Sequence, residues 1–131
     1  NKRFDSKWEV YYYYYLMDEK ISFKEQVPFE YVDEIGVNHK YFCDFQLDDG
    51  TLIEIKNPYL IKNGKLVYRP KKSLSAEQNE KIRIREEAKS KLMESLNVKI
   101  ISDIKVYKEQ FTRNHPDLII YDNFNRPKNQ D

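Results

Sequence analysis

The segment around Asp49-Gly50 constrains the fold of this chain more than any other. An apolar run stands on each side of the Asp-Gly pair, and each run is about the length of a strand. Such a pair favours a tight hairpin turn, because the preferred turn types need positive φ at their central positions. We therefore predict two paired strands, at about Lys40–Leu47 and Thr51–Lys56.

Charged side chains stand inside this apolar hairpin. Asp44 falls on the first predicted strand, and Glu54 and Lys56 fall on the second. Because side chains alternate along a strand, Glu54 and Lys56 leave the same face, and Asp44 can approach them from the neighbouring strand. Placing these charges among apolar residues is costly unless they have partners. A divalent cation such as Mg²⁺ would be a suitable partner for the carboxylates. The alternative is a solvated strand face, where Lys-Glu alternation is ordinary.

A third acid, Glu9, stands upstream of the hairpin. The run Ser6-Lys7-Trp8-Glu9 has the S-x-x-E form of a capping box and predicts a helix from about Ser6 to Lys20. Apolar residues recur at helical spacing after it, and Glu9 would lie near the edge of that stripe. A glutamate in a first turn also stabilises a helix through its cap and the macrodipole. Glu9 is therefore either a site residue or only a helix-start residue.

Taken together, Glu9, Asp44, Glu54 and Lys56 resemble the active-site pattern of the PD-(D/E)XK nuclease superfamily. The resemblance covers roughly residues 4–107. Its layout is similar to that of phage endonuclease I-type junction resolvases and transposon end-cleaving nucleases. In the former, an S-x-x-E helix start precedes a Y-x-x-D-F-x-L-x-x-G-x-x-x-E-x-K hairpin. Seven residues match that hairpin: Tyr41, Asp44, Phe45, Leu47, Gly50, Glu54 and Lys56. Cys43 stands where the superfamily pattern has proline, a residue that shapes the backbone and is not a ligand.

The resemblance implies a DNA-binding, magnesium-dependent endonuclease, a hydrolase of phosphodiester bonds encoded by a phage or mobile element and selective for junctions or branched DNA. Asp44, Glu54 and Glu9 would be the metal-binding residues for Mg²⁺, with Mn²⁺ as a substitute and the backbone carbonyl of Ile55 as a further ligand. Lys56 would orient or help deprotonate the attacking water. No small-molecule cofactor is implied. Two alternatives stay open: a site-specific restriction or homing nuclease, and a non-catalytic nucleic-acid-binding or assembly domain that keeps the nuclease fold.

The near-neutral charge of the chain hides a strong asymmetry. Residues 1–55 carry 6 Lys/Arg against 12 Asp/Glu, whereas residues 56–91 carry 11 against 4. A basic segment beside an acidic one is where phosphates would bind. The predicted nucleic-acid-binding residues are Lys62, Lys65, Arg69, Lys71, Lys72, Arg83 and Arg85. The alternative is that these side chains only solvate a loop and a helix.

The predicted fold is a single α/β domain (α+β mixed) over residues 1–131. The order αβββαβ would give a mixed central sheet flanked by helices, and it matches the restriction-endonuclease-like core that the resemblance implies. The remaining predicted elements are an extended stretch about 21–27 that Pro28 ends, a basic loop or extra hairpin at 57–74, a helix at 75–96, a strand at 98–101 parallel to its neighbour, an edge strand at 117–121 and a loose tail at 123–131.

Cysteine, histidine and hydropathy patterns narrow the function classes further. A single cysteine, Cys43, excludes an internal disulfide, and two histidines exclude a His-cluster zinc site. No apolar run approaches a membrane span, so we expect no membrane partner. A reducing, intracellular setting is expected, either the cytoplasm or a nucleic-acid-associated compartment of the host. Exposed members of Tyr11–Tyr15 would suit base stacking or a homodimer surface, and the alternative is a margin of the core.

Overall fold

The computed structural model describes Phe4, residues 6–63 and residues 65–120. Within this part, the chain is mixed α/β, with a mixed four-stranded sheet and three helices. It divides into a sheet unit, Phe23–Ser102, and a helical unit, which contains the described residues on either side of it. The elements are α1 (Lys7–Asp18), β1 (Phe23–Val32), β2 (Asn38–Leu47), β3 (Leu52–Ile55), β4 (Ile61–Lys62), β5 (Lys65–Leu66), α2 (Ala76–Ser95), β6 (Lys99–Ile101) and α3 (Lys105–Asn114), with a 3₁₀ turn at Pro58–Leu60.

The sheet has the strand order β1-β2-β3-β6. Its first two pairings are antiparallel, and β3 and β6 are parallel, joined by the crossover that contains α2. At the predicted turn Gly50 has φ +92°, and the backbone N–H of Leu47 donates to the carbonyl of Thr51 at 2.8 Å. The predicted hairpin and the predicted parallel strand are therefore both confirmed, with bounds shifted by one or two residues.

Pro28 does not end the first strand, contrary to the prediction. β1 continues to Val32, and Pro28 stands opposite Phe42 in regular register. Within the described residues β1 pairs with β2 alone, so it is an edge strand. A proline is tolerated there because one side of an edge strand makes no ladder hydrogen bonds. The longer β1 carries its apolar residues over the core of the sheet unit.

That core lies between the sheet and α2. Its buried members are Tyr41, Cys43, Leu52 and Met93, and half-buried apolar residues of β1 and α2 pack around them. Ser75 begins α2 with both halves of a capping box: its Oγ accepts from the N–H of Gln78 at 3.0 Å, and its own N–H donates to the Gln78 side chain at 2.9 Å. The predicted start of this helix is confirmed.

The helical unit contains α3, a helix that the sequence reasoning missed. The expected edge strand at 117–121 is wrong over residues 117–120, which form a turn followed by irregular chain, and Tyr121 lies outside the described residues. The apolar residues of α3, Tyr107 and Phe111, are one helical turn apart and pack on α1. Phe111 contacts Tyr11 and Tyr14, and Tyr107 contacts the rings of Tyr12 and Tyr15. The tyrosine run therefore builds a helix–helix contact.

The segment expected to be a basic loop or an extra hairpin has the hairpin form. β4 and β5 pair antiparallel, with Ile61 opposite Leu66. Gly64 and the tail 123–131 lie outside the described residues. Among the helices that are described, none has the length and apolar character needed to cross a membrane.

Candidate functional site

The sheet brings three of the four predicted site residues together. Asp44 lies on β2, Glu54 on the adjacent β3, and Lys56 directly after β3. Asp44 and Glu54 are only 6% and 4% exposed. Lys56 Nζ lies 3.3 Å from Glu54 Oε2, and its side chain is 25% exposed. Glu54 thus pairs with an ammonium that still reaches solvent, and a second buried carboxylate, Asp44, lies on the adjacent strand.

Asp44 and Glu54 each accept a hydrogen bond from a backbone N–H of the adjacent strand. The regular β2–β3 ladder has Phe45 opposite Ile53, and beyond that pair Asp44 Oδ2 accepts from the backbone N–H of Ile55 at 2.8 Å. The backbone N–H of Asp44 donates in turn to Glu54 Oε1 at 3.3 Å. Hydrogen bonds to charged acceptors are stronger than neutral ones. This exchange fixes the spacing of the two carboxylates.

Tyr41 also positions Glu54, a role that the sequence reasoning did not assign to it. Its hydroxyl donates to Glu54 Oε1 at 2.7 Å. Burial, followed by the charge and hydrogen bond of Glu54, raises the pKa of Tyr41 well above its ordinary value. The phenol therefore stays protonated and acts as a donor. The signal was present in the sequence, since Tyr41 belongs to the matched hairpin pattern.

Cys43 is a buried residue of the core. Its Sγ lies 3.3 Å from the carbonyl oxygen of Ile53 and 3.5 Å from that of Phe45. Burial raises the pKa of the Cys43 thiol, so the group is neutral and unreactive at ordinary pH.

Lys56 has a second acidic neighbour, Glu86 on α2. Burial opposes ionisation of Glu86, but the charge and hydrogen bond of Lys89 and the charges of Arg85 and Lys56 lower its pKa overall. Glu86 is therefore ionised and places a negative charge near Lys56. Nothing in the sequence distinguished Glu86 from the other charged residues of the helix, because the relation to Lys56 is created by the crossover between β3 and β6.

Glu9 belongs to the helical unit. It lies in the first turn of α1, is buried, and its backbone N–H donates to Ser6 Oγ at 3.3 Å. The predicted helix start is confirmed by that contact. The role of Glu9 as a metal ligand stays a prediction.

The chemistry of the Asp44–Glu54 pair fits a hard divalent cation, because both side chains are buried oxygen donors on neighbouring strands. Across the described residues, no group of three or more His, Cys, Asp or Glu side chains is arranged to hold a metal ion. Asp44 and Glu54 each accept from a protein donor as well. For a cation bound here, the pair would supply only two of the ligands, and the rest would have to come from groups such as the Ile55 carbonyl, water or substrate.

A cleft of about 540 Å³ opens beside Lys56. One side is formed by the β4–β5 hairpin and the segment that follows it, and the other side is formed by α2. Four of the predicted nucleic-acid-binding residues line it: Lys65, Arg69, Lys71 and Arg85. Lys89 and Lys91 also line it and were not singled out from the sequence. The segment between hairpin and helix is thus a wall of the cleft.

The other three predicted binding residues do not line this cleft. Lys62 and Lys72 are exposed, and Arg83 forms ion pairs with acids on three sides, namely Glu34, Glu80 and Glu87. These ion pairs leave the Arg83 guanidinium surrounded by acidic partners. The predicted DNA contacts of these three residues stay predictions.

Asn79 fastens the basic segment to α2. Its Oδ1 accepts from the backbone N–H of Lys71 and from the hydroxyl of Tyr68, and its Nδ2 donates to the carbonyl oxygens of Lys71 and Leu74. Arg69 is held separately, with its guanidinium 4.2 Å from the ring centre of Tyr59 and its Nε donating to the Tyr59 carbonyl. The wall of the cleft is therefore preorganised.

Comparison of the chain with protein-family models, with curated proteins and with solved structures finds no match. We therefore infer function from the residues of the site and from their geometry.

Proposed function

We propose that this chain is a metal-dependent endonuclease of the PD-(D/E)XK type that hydrolyses DNA phosphodiester bonds. The observation that carries the proposal is the convergence of Asp44, Glu54 and Lys56 at the end of the β2–β3 ladder. Burial of two ionisable carboxylates beside an ammonium costs free energy, and such arrangements are typical of functional sites.

Each residue of the cluster has a role in this proposal. Asp44 and Glu54 would hold Mg²⁺, which when bound neutralises phosphate charge and acidifies the attacking water. Lys56 presents a positive charge that a phosphate oxygen can approach from the cleft, since it is both paired with Glu54 and partly exposed. Tyr41 keeps Glu54 in place by hydrogen bonding.

The charge of the cleft supports a nucleic-acid substrate. Seven basic and three acidic side chains line it, and Lys56 is one of the seven. A phosphate backbone bound along this wall would therefore pass the proposed reaction centre. Phosphate contacts of this kind position a substrate without reading its sequence, so they say nothing about base specificity.

The test is cleavage of supercoiled plasmid by the wild-type protein with Mg²⁺, Mn²⁺, Ca²⁺ or EDTA. We expect cleavage with the first two, binding without cleavage with Ca²⁺, and no cleavage in EDTA. Asp44→Asn should reduce the rate at least ~10²-fold, as is usual on losing one electrostatic stabiliser. Asp48→Asn is the matched control, because Asp48 is exposed in the same hairpin. Full activity in EDTA, or equal rates for the two variants, would refute the proposal.

One observation favours a second candidate, a nucleic-acid-binding domain that does not cleave. Asp44 already accepts from the backbone N–H of Ile55, and Glu54 accepts from the Tyr41 hydroxyl and the backbone N–H of Asp44. A purely structural cluster would have the same hydrogen bonds. Binding of DNA without cleavage under every metal condition, and unchanged by Asp44→Asn, would decide for this candidate.

A further inference from the structure

The cleft beside Lys56 has an apolar floor as well as a basic rim. Leu66, Val67 and Tyr68 line it from the hairpin side, and Ile82 lines it from α2. All four are half-buried, so their apolar surface remains open to a ligand. A surface that bound only the phosphate backbone would need basic side chains but no apolar lining.

The cleft is large enough for an unpaired nucleotide but too small for a DNA double helix. About 540 Å³ is in the range of pockets that enclose a small organic ligand, which is the size class of a nucleotide. A double helix cannot enter it, because its bases are stacked and paired behind two backbones. An unpaired nucleotide can place its base on the apolar floor and its phosphates against the basic rim.

We propose that this cleft binds an unpaired nucleotide next to the scissile phosphate, so that the substrate is DNA with a single-stranded segment at the cleavage point. The base would lie against Tyr68, Leu66 and Ile82, and the flanking phosphates would contact Arg69, Lys71 and Lys89. Single-strand binding sites combine these two features, a positive groove and apolar or aromatic surfaces for bases. The inference depends on the proposed function only for the position of cleavage.

The first experiment measures binding without hydrolysis. Fluorescence anisotropy in EDTA, with the wild-type protein, compares a labelled single strand, a blunt duplex of the same length and a duplex with a short unpaired flap. We expect the single strand and the flap to bind about tenfold or more tightly than the blunt duplex, which corresponds to the stacking of one base. Equal affinity for all three would overturn the inference.

A pair of substitutions on α2 locates the binding. Ser90 lines the cleft and is half-buried, whereas Ser95 is exposed and does not line it. Ser90→Trp fills the cleft and should lower single-strand affinity about tenfold while blunt-duplex affinity changes less than twofold. Ser95→Trp, the matched control, should leave both affinities unchanged. Unchanged single-strand affinity of a folded Ser90→Trp variant would refute the site.

A second measurement applies if Ser90→Trp fails to fold. The wild-type protein is irradiated with an oligonucleotide that carries 5-iododeoxyuridine, and the attached peptide is identified by mass spectrometry. Attachment at Tyr68 or within residues 82–91 is the expected result. Attachment confined to other peptides would overturn the inference. So would displacement of the single strand by an acidic peptide that binds more tightly than DNA.

The outcomes separate this inference from the proposed nuclease activity. Metal-dependent cleavage together with equal binding of all three DNA forms would refute the unpaired-nucleotide site and leave the nuclease intact. Preferential single-strand binding with no cleavage under any metal condition would support the site and refute the nuclease.

Discussion

The acid cluster of Asp44, Glu54 and Lys56 shares Lys56 with the basic cleft, but the two regions differ in the burial and the contacts of their charged side chains. In the cluster, Asp44 and Glu54 are buried and fixed by short contacts with defined donors. In the cleft, most of the charged side chains are exposed, and several of the cations pair with acids of the same lining, as in Lys65–Glu94 at 3.2 Å and Lys89–Glu86 at 3.0 Å. The cluster therefore concentrates its effect in a few atoms, and the cleft distributes its effect over several charges.

This difference predicts how each region responds to substitution. Removing one partner of a buried, hydrogen-bonded charge leaves the other group uncompensated, which is expensive. Removing one exposed charge from a basic surface subtracts a single phosphate contact. Single substitutions should therefore have large effects in the cluster and graded, salt-dependent effects in the cleft.

The largest expected effect is that of Lys56→Met, because Lys56 belongs to both regions. Loss of its charge beside Glu54 should lower the cleavage rate at least ~10²-fold with the fold intact. Single-turnover cleavage measures this, and circular dichroism checks the fold. Lys81→Met is the control, since Lys81 is an exposed lysine of α2 that does not line the cleft. A rate within a few-fold of wild type would remove Lys56 from the reaction centre.

Tyr41→Phe should destabilise the protein by about 1–3 kcal/mol, the usual cost of leaving a buried acceptor without its donor. The hydroxyl donates to Glu54 at 2.7 Å, and the phenylalanine ring would fill the same space. Urea unfolding measures the change. Tyr59→Phe is the control, because the Tyr59 side chain is largely exposed. Equal stability of wild type and Tyr41→Phe would show that Glu54 does not need this donor.

The cleft should respond more weakly, and two adjacent lysines test this. Lys71 lines the cleft and Lys72 does not, although both are exposed. Lys71→Gln should lower DNA affinity across all sequences and reduce the salt-dependence slope by about one unit, since each phosphate contact releases roughly 0.9 counterion. Lys72→Gln should change the slope less. If the two variants behave alike, the DNA does not follow the cleft.

The parts of the structure that the sequence predicted are those governed by local rules. The Asp49-Gly50 turn, the start of α2 near residue 75 and the convergence of Asp44 with Glu54 follow from turn chemistry, helix-start signals and strand alternation. Each depends on residues that are close in sequence or opposite in a hairpin. Such contacts can be predicted without knowledge of the tertiary packing.

The parts that were missed depend on distant packing. α3 has no side-chain cap at its start. Its aromatic residues Tyr107 and Phe111 pack against the tyrosines of α1, which are distant in sequence. Pro28 is tolerated because the fold places β1 at an edge. Glu86 approaches Lys56 through the crossover of α2. These relations join segments far apart in sequence, where periodicity carries no information.

The smallest expected effect comes from Asp33, a buried acid outside both regions. It accepts from the backbone of Ile35 and Val37 and from His39, and the His39 hydrogen bond is the main cause of its lowered pKa. A lowered pKa in the folded state adds stability above the ordinary Asp pKa of about 3.9, and that stability is lost as pH falls through the folded value. Asp33→Asn should therefore melt at a lower temperature than wild type at pH 7, and the difference should shrink below about pH 4. Cleavage should not change. Loss of cleavage in a folded Asp33→Asn variant would contradict the prediction, because it would give Asp33 a role in the reaction although it lies outside the acid cluster.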